Sequence, residues 1–512
     1  MPMSIISCKI EVTTIHNGAQ MNVGQKSEAG YPISRKVLEA PFYPVSLNKI
    51  VQRVIRRNGK RGRQRKANNG SQSSSLVYYN MNLDNVKEIV NEFGERIIRV
   101  DGDIPVDLPV STGDRYLFIS YDQTALTHGL HKYPAKFFPE LPRWLIRRYS
   151  MELDTILDPF SGSGTTSVEA LLLKRNSVGI DVDPFSRFLS KVKVTPLEED
   201  ALRRCQRYLL QQVVNYHHSK VSAQDIPSFP YRDNWFNKET TLELAYLRKT
   251  TASLDASDDT KNFFKICLSS IVRAVSNADD NCTRTVIRKK LNKKVYPADA
   301  LEKFVEVLLV NVPKMIEFSQ ICPKYVRTDF PLDNDARSIK YPENYFDLAV
   351  TSPPYANAVD YPRTHQLELY WLGFANGSLT PLKKKHVGTE SVSVNDYQVP
   401  HKTGISCADA TISRIFDKDP RRAFIAYKYL EDMRSNLVEV YRVLKKGRRY
   451  VIVVGNNRIR GEVFQSWRYI MEIAEEVGFS VECHFGSEII NHFIKVPREE
   501  RINTDWVIVL QK

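Results

Sequence analysis

An open, doubly wound α/β sheet is the fold class this sequence predicts, and three observations predict it. Apolar runs of strand length alternate with segments of helical period from about residue 128 to the end. Two of these runs, "LDTILDPF" and "NSVGIDVDP", end in acids and bracket a Gly-rich turn that leads into a helix. A third, "YFDLAVTSPPY", stops in a rigid double-proline corner.

The elements follow in order. Residues 1–110 form a first region, in which Arg53 to Lys66 holds eight Lys or Arg and no acid, followed by a Gly/Asn/Ser/Gln tract. Such a composition buries little apolar surface and reads as a partly flexible basic arm. Leu83, Val86, Ile89, Val90 and Phe93 then recur at helical spacing, which predicts a small helical unit. Residues 111–196 carry the Gly-rich turn. Their segment "HKYPAKFFPELPRWLIRRYS" predicts an amphipathic helix from about Pro139, with Leu141, Leu145 and Arg148 on one side. Residues 197–325 read as a large, mainly helical insertion. Residues 326–512 return to alternation, interrupted by a polar loop insertion at 356–420. There "DMRSNLVEVYRVLKKG" is a helix with Gly447 where a C-cap belongs, and "RRYVIVVGNN" and "TDWVIVLQK" are buried strands.

The chain has 512 residues, 42% hydrophobic and 26% charged, which is ordinary globular composition. Its formal net charge of +14 favours a polyanionic partner, of which nucleic acid is the commonest. Seven cysteines stand singly without a Cys-x-x-Cys pair, so neither a disulfide framework nor a zinc site is expected. The N-terminus lacks a basic segment followed by an apolar core, and no apolar run approaches about 20 residues. No signal peptide and no membrane span are therefore expected, and the location is expected to be cytoplasmic, on the nucleoid.

Gly162 and Gly164 sit between a strand and a helix, where glycine lets a ligand approach the backbone and the helix start offers free N–H groups. The next strand ends in Asp181 and Asp183, and an acid there can take both hydroxyls of a ribose. Together they point to a nucleoside cofactor. Position 167 is Ser, which breaks the dinucleotide fingerprint, and no Gly-x-x-x-x-Gly-Lys-Ser/Thr occurs.

"DPFSGSGTT" with "TSPPY" resembles the S-adenosylmethionine-dependent DNA amino-methyltransferase family, and most of all its cytosine-N4-specific modification enzymes. The resemblance covers roughly residues 128–195 and 325–512. It implies a Rossmann-like methyltransferase sheet, with S-adenosylmethionine held by Asp158, Phe160, Gly162, Gly164, Asp181 and Asp335. It also implies a catalytic corner of Ser352, Pro353, Pro354 and Tyr355. An exocyclic amino group is a poor nucleophile, because its lone pair is conjugated with the ring. Hydrogen bonds from that group to the Ser352 hydroxyl and Pro353 carbonyl would draw the nitrogen towards a tetrahedral shape, and proline pre-aims the carbonyl. Tyr355 would offer a face on which a flipped base stacks. Methylation at carbon 5 of cytosine needs a Pro-Cys nucleophile, and no Pro-Cys pair exists in the chain. Ser before the prolines favours cytosine N4, with adenine N6 as the nearest alternative. An RNA base, a glutamine amide or a non-catalytic DNA-binding scaffold stand further off.

Two segments compete to read double-stranded DNA. "CTRTVIRKKLNKK" in the insertion supplies Arg284, Arg288, Lys289, Lys290, Lys293 and Lys294; the stretch after Tyr355 supplies Lys383, Lys384, Lys385 and His386. Arg363 and His365 follow the catalytic corner and are minor candidates for contacts to the base or its phosphates. His131, Trp144 and Trp371 are expected mainly to pack. The family resemblance further implies a cognate restriction endonuclease as partner.

Overall fold

A computed structural model describes residues 85–90, 94–288, 290, 293–356, 359–489 and 504–512. The basic arm before residue 85, Lys289 and the segment 490–503 lie outside the described residues.

Twelve strands are described: β1 Val86–Val90, β2 Arg96–Asp101, β3 Arg115–Ile119, β4 Thr155–Asp158, β5 Asn176–Gly179, β6 Thr328–Asp329, β7 Phe346–Thr351, β8 Leu444–Gly455, β9 Asn457–Ile459, β10 Glu462–Phe464, β11 Ser480–Glu488 and β12 Thr504–Gln511. Ten form one sheet in the order β1-β2-β3-β11-β12-β8-β7-β4-β5-β6, while β9 and β10 make a separate hairpin. Only β1 and β12 run against the other eight strands of this sheet. The chain passes from β4 to β5 and β6 on one side and places β7 on the other. A crevice therefore opens at the carboxyl ends of β4 and β7.

Strands covered on both faces read as continuous apolar runs. Along β12, Val507 and Val509 join one core while Ile508 and Leu510 join the other. The first core is closed by α1 (Glu140–Tyr149), through Leu141, Trp144 and Leu145. On the near side of the crevice lie α2 (Thr165–Leu172) and α3 (Pro184–Val194). The insertion supplies α4 (Glu199–Val214), α5 (Lys238–Ala252), α6 (Asp258–Val272) and α7 (Asp299–Ile321). Their apolar faces share a core with Phe185 and Leu189 of α3. The helical layer is thus built directly against the crevice wall.

After β7, the stretch read as polar loops contains α8 (Gln366–Trp371), α9 (Thr380–Lys385) and α10 (Ser406–Phe416). Leu367, Leu369 and Trp371 of α8 are buried in the insertion's core, which is why this stretch is ordered against it. Then α11 (Pro420–Val443) and α12 (Ser466–Val477) cover the second face.

Two expectations are corrected. The helical unit around residues 83–93 is instead the antiparallel pair β1–β2, in register Val86↔Val100; Leu83 and Phe93 lie outside the described residues. The β-branched residues of β1 favour a pleated surface, and Gly94 at φ +78° fits the turn between the strands. Gly447 is not a helix cap. The helix α11 passes straight into the buried Leu444 of β8, and Gly447 at φ +72° sits where pairing jumps from Phe346↔Leu444 to Leu348↔Arg449.

A buried network ties α1 to α2. Glu169, 1% exposed, accepts a hydrogen bond from Arg143 Nε at 2.8 Å and faces His128 Nε2 at 2.7 Å. Removing one member of such a set strands the others, so Glu169→Ala is expected to lower the unfolding free energy by about 3 kcal/mol. Urea transitions check this, and a loss below about 1 kcal/mol would show the network to be marginal.

Candidate functional site

Asp158 closes β4 and begins the turn that reaches α2 at Thr165. Its Oδ1 accepts hydrogen bonds from Phe160 N at 3.1 Å and from Thr351 Oγ1, at the end of β7, at 2.6 Å. Burial pushes its carboxyl up to about 6. Gly162 and Gly164 both take left-handed backbone, φ +48° and +75°. A Cβ on Gly164 would lie 2.7 Å from Ser190 Oγ, so glycine here also allows α3 to approach. From α3, Ser190 Oγ donates to the Gly162 carbonyl at 3.0 Å and the fully buried Lys193 donates to the Ser163 carbonyl at 2.9 Å. The loop is therefore gripped by its carbonyls.

At the end of β5, Asp181 braces the same loop. Its Oδ2 accepts from Gly162 N at 2.9 Å and its Oδ1 from Asp183 N at 2.8 Å. Asp183 caps α3 through Oδ1, which accepts from Phe185 N and Ser186 N. Its Oδ2 makes no hydrogen bond among the described residues and faces His386 Nε2 at 3.7 Å. His386 Nδ1 lies 2.9 Å from the Leu382 carbonyl, an acceptor only, so that nitrogen carries the proton.

These groups line one cleft of about 800 Å³. Asp158, Phe160, Gly162, Asp181 and Asp335 all border it, together with Ser352 and Pro354 of the double-proline corner. Gly164 stands behind the wall, in the α2–α3 packing. The carboxylate of Asp335 is held at both oxygens by Arg337, at 2.7 and 2.9 Å, and Arg337 reaches on to Asp432. Tyr133, Lys136 and Phe137 from the segment before α1 form another side. The ring of Tyr133 stacks on His365, with centroids 4.9 Å apart, and its hydroxyl lies 2.9 Å from Ser186 Oγ. Ser161 Oγ, Thr165 Oγ1, Asp183 Oδ2 and His386 Nε2 are buried around this cleft without a hydrogen bond among the described residues. A concave space with a helix start, carboxylates and unmet polar atoms suits a polar nucleoside of the S-adenosylmethionine kind.

The corner itself follows six consecutive buried residues of β7. Tyr355 Oη donates to Asp505 Oδ1 of β12 at 2.6 Å, and a Cβ on Gly455 would lie 2.9 Å from the Tyr355 ring. Burial pushes Asp505 up to about 6, which the bond from Tyr355 partly offsets. Asn457 holds the Ala356 carbonyl. A second cavity, about 880 Å³ and more polar, opens on the other side of Pro354 and Tyr355. Pro354, Tyr361, His386 and Val387 line both spaces and form the partition between them.

The structure disperses the basic cluster of the insertion. Arg284 turns towards Glu390, Arg288 towards Asp279, and Lys293 towards Asp280 and the Ala278 carbonyl; Lys290 and Lys294 are exposed, and Lys289 lies outside the described residues. Lys384 and Lys385 are exposed, Lys383 pairs with Asp360, and Arg363 lines the second cavity. His131 packs against Phe185 and faces Ser269, and Trp144 and Trp371 are core. Thr351, Lys193, Asp505, Asn457 and His386 gain their place only through tertiary contacts. Of these, the sequence pattern marks His386 alone, and as a DNA contact rather than a wall of the cleft.

Burial and the neighbouring Asp183 push the Asp181 carboxyl up to about 7. The folded chain therefore keeps a proton that the unfolded chain sheds near pH 4, so stability falls as pH rises through that window. Asp181→Asn should remove this fall: its stability relative to the parent, read by denaturant titration, should improve from about pH 4 to about pH 7 and level off above that. An unchanged pH dependence would contradict the assignment.

Among known proteins, the DNA methylase family model matches residues 64–187, and a model of the RMKL-like methyltransferase domain matches 132–314. The Type II methyltransferase M.MvaI of Kocuria varians is 26% identical over 373 residues, covering 69% of this chain and 82% of that protein. M.BsoBI of Geobacillus stearothermophilus, also a Type II methyltransferase, is 26% identical over 403 residues, covering 69% and 78%. Over a short stretch of 49 residues, M.MjaI of Methanocaldococcus jannaschii is 55% identical, covering 10% of this chain and 16% of that protein. Among solved structures, a SAM-dependent methyltransferase of Methanosarcina mazei aligns over 75% of this chain and 98% of its own, at 12% identity and a TM-score of 0.26.

Proposed function

The chain belongs to the DNA amino-methyltransferase family, and from that premise we propose that it methylates the exocyclic N4 of a cytosine flipped out of double-stranded DNA. The observation that carries this reading is the partition. Ser352 and Pro354 face the loop-lined cleft, while Pro354 and Tyr355 face the second cavity. A donor on one side and an acceptor base on the other would meet at Pro354, with Ser352 on the donor side and Tyr355 on the acceptor side.

S-adenosylmethionine, when bound, supplies an electrophilic methyl group. Asp181, Asp183 and the turn from Asp158 to Gly164 would hold its polar parts, with Phe160 beside them and Asp335, braced by Arg337, at the rim. The chain's own chemistry lies at the corner. Ser352 Oγ and the Pro353 carbonyl accept the two amino hydrogens, which frees the nitrogen lone pair. Pro353 and Pro354 fix the backbone, so the acceptors need no reorganisation. Tyr355, pinned through its hydroxyl to Asp505, presents a ring of fixed orientation to the base. Ser in place of Asp before the two prolines supports cytosine over adenine as a tendency of the motif, since both bases present a similar amino group. A cognate restriction endonuclease is supported by family resemblance alone.

The test separates chemistry from binding. Ser352→Ala should lower transfer of labelled methyl from S-adenosylmethionine to duplex DNA by about 100-fold while leaving cofactor affinity within about twofold. Asp181→Ala should do the reverse, weakening cofactor binding first. Loss of cofactor affinity in Ser352→Ala equal to its loss of turnover would contradict this division of roles.

A further inference from the structure

We propose that Glu390 holds a set of arginines at the mouth of the second cavity as an internal stand-in for phosphate, and yields them to the backbone of the target strand. This rests on reading that cavity as the acceptor site.

Three segments distant in sequence converge there. Glu390 Oε1 accepts from Arg422 Nη1 at 2.8 Å and lies 3.4 Å from Arg284 Nη2; the Glu390 carbonyl accepts from Arg421 Nη2 at 2.7 Å. Arg284 comes from the helical insertion, Arg421 and Arg422 from the start of α11, and Glu390 from the loop that lines the cavity. A buried hydrogen bond, Thr285 Oγ1 to the Thr364 carbonyl at 2.7 Å, sets the residue after Arg284 against the residue after Arg363. Arg363 is exposed on the cavity wall, and no hydrogen bond or ion pair of its guanidinium is seen among the described residues. The other charged pair of the rim, Asp360 with Lys383 at 2.8 Å, compensates itself. Two guanidinium groups thus share one carboxylate, with Arg421 on the carbonyl of the same residue and Arg363 on the same cavity wall.

Arginine's planar fork matches a carboxylate and a phosphate equally well. The groups are open to exchange, since Arg284 is 42% and Glu390 29% exposed. A base swung into the cavity brings its own flanking phosphates to this rim. A phosphodiester oxygen can then replace Glu390 Oε1 between Arg284 and Arg422, with Arg363 joining it. The two segments that compete as DNA readers thereby become one clamp, joined at Glu390.

The experiment is a salt titration of binding between the full chain and a fluorescent 30-base-pair duplex. Each phosphate contact contributes about 0.9 to the slope of log K against log salt. Arg363→Ala and Arg284→Ala should each weaken binding and lower the slope by about that amount. Glu390→Gln should tighten binding about three- to tenfold, because a competitor's charge is gone. Unchanged or weaker binding by a folded Glu390→Gln would overturn the proposal, as would an unchanged slope in Arg363→Ala. Arg363→Ala decides alone if Glu390→Gln does not fold, since among the described residues the Arg363 guanidinium has no hydrogen bond or ion pair to lose. A single-stranded RNA that binds more tightly than the duplex with the same dependence on Arg363 would overturn DNA as the occupant. Because the readout is binding, methyl transfer to DNA with unchanged slopes sinks the clamp alone. Altered slopes without methyl transfer support the clamp and sink the catalytic reading.

Discussion

One buried hydrogen bond, from Thr351 Oγ1 to Asp158 Oδ1, sets the geometry on which the rest of the site depends. Both residues lie at the carboxyl ends of neighbouring strands, β7 and β4, and both are buried, at 0% and 4% exposure. Asp158 also closes its own turn through Phe160 N. A single carboxylate oxygen therefore fixes the start of the Gly-rich loop and the strand end that leads into the Ser-Pro-Pro-Tyr corner. Burying a carboxylate is costly unless its oxygens are satisfied, and here the satisfying groups are those that must be held in register. The two loops share one anchor and form one site.

The helix α3 is the second constraint. It approaches closely enough to forbid a side chain at Gly164, and it lends Ser190 and Lys193 to the loop's carbonyls. Burial holds the Lys193 amine well below its ordinary range, towards the neutral form, so its role is that of a donor strut. On the outer side of α3 lies the helical insertion, whose core includes Phe185 and Leu189. The insertion and the wall of the cleft therefore share one hydrophobic core.

Much of this was legible in the sequence because the chemistry is local. Gly162 and Gly164 declare a tight turn, Asp181 a strand end, and Ser352 to Tyr355 a corner, each within a few consecutive residues. The fold class was legible for the same reason: strands such as β12, covered on both faces, are unbroken apolar runs. What escaped is non-local. No spacing links Tyr355 to Asp505 or Thr351 to Asp158. The basic run Arg284 to Lys294 was legible as a density of charge suited to phosphates, but the separate partners of Arg284, Arg288 and Lys293 in the fold were not. Helical periodicity around residues 83–93 misled because Val86 and Ile89 also suit a strand once β2 is present to pair with them.

Mass spectrometry of nucleosides from plasmid DNA decides most directly whether this corner methylates cytosine, comparing cells that produce the intact chain with cells that produce Ser352→Ala. N4-methylcytosine is expected with the intact chain and should be lost with the variant. N6-methyladenine in its place would contradict the base assigned to the Ser352 corner. A methylated base persisting at full level in Ser352→Ala would contradict the role of that corner altogether.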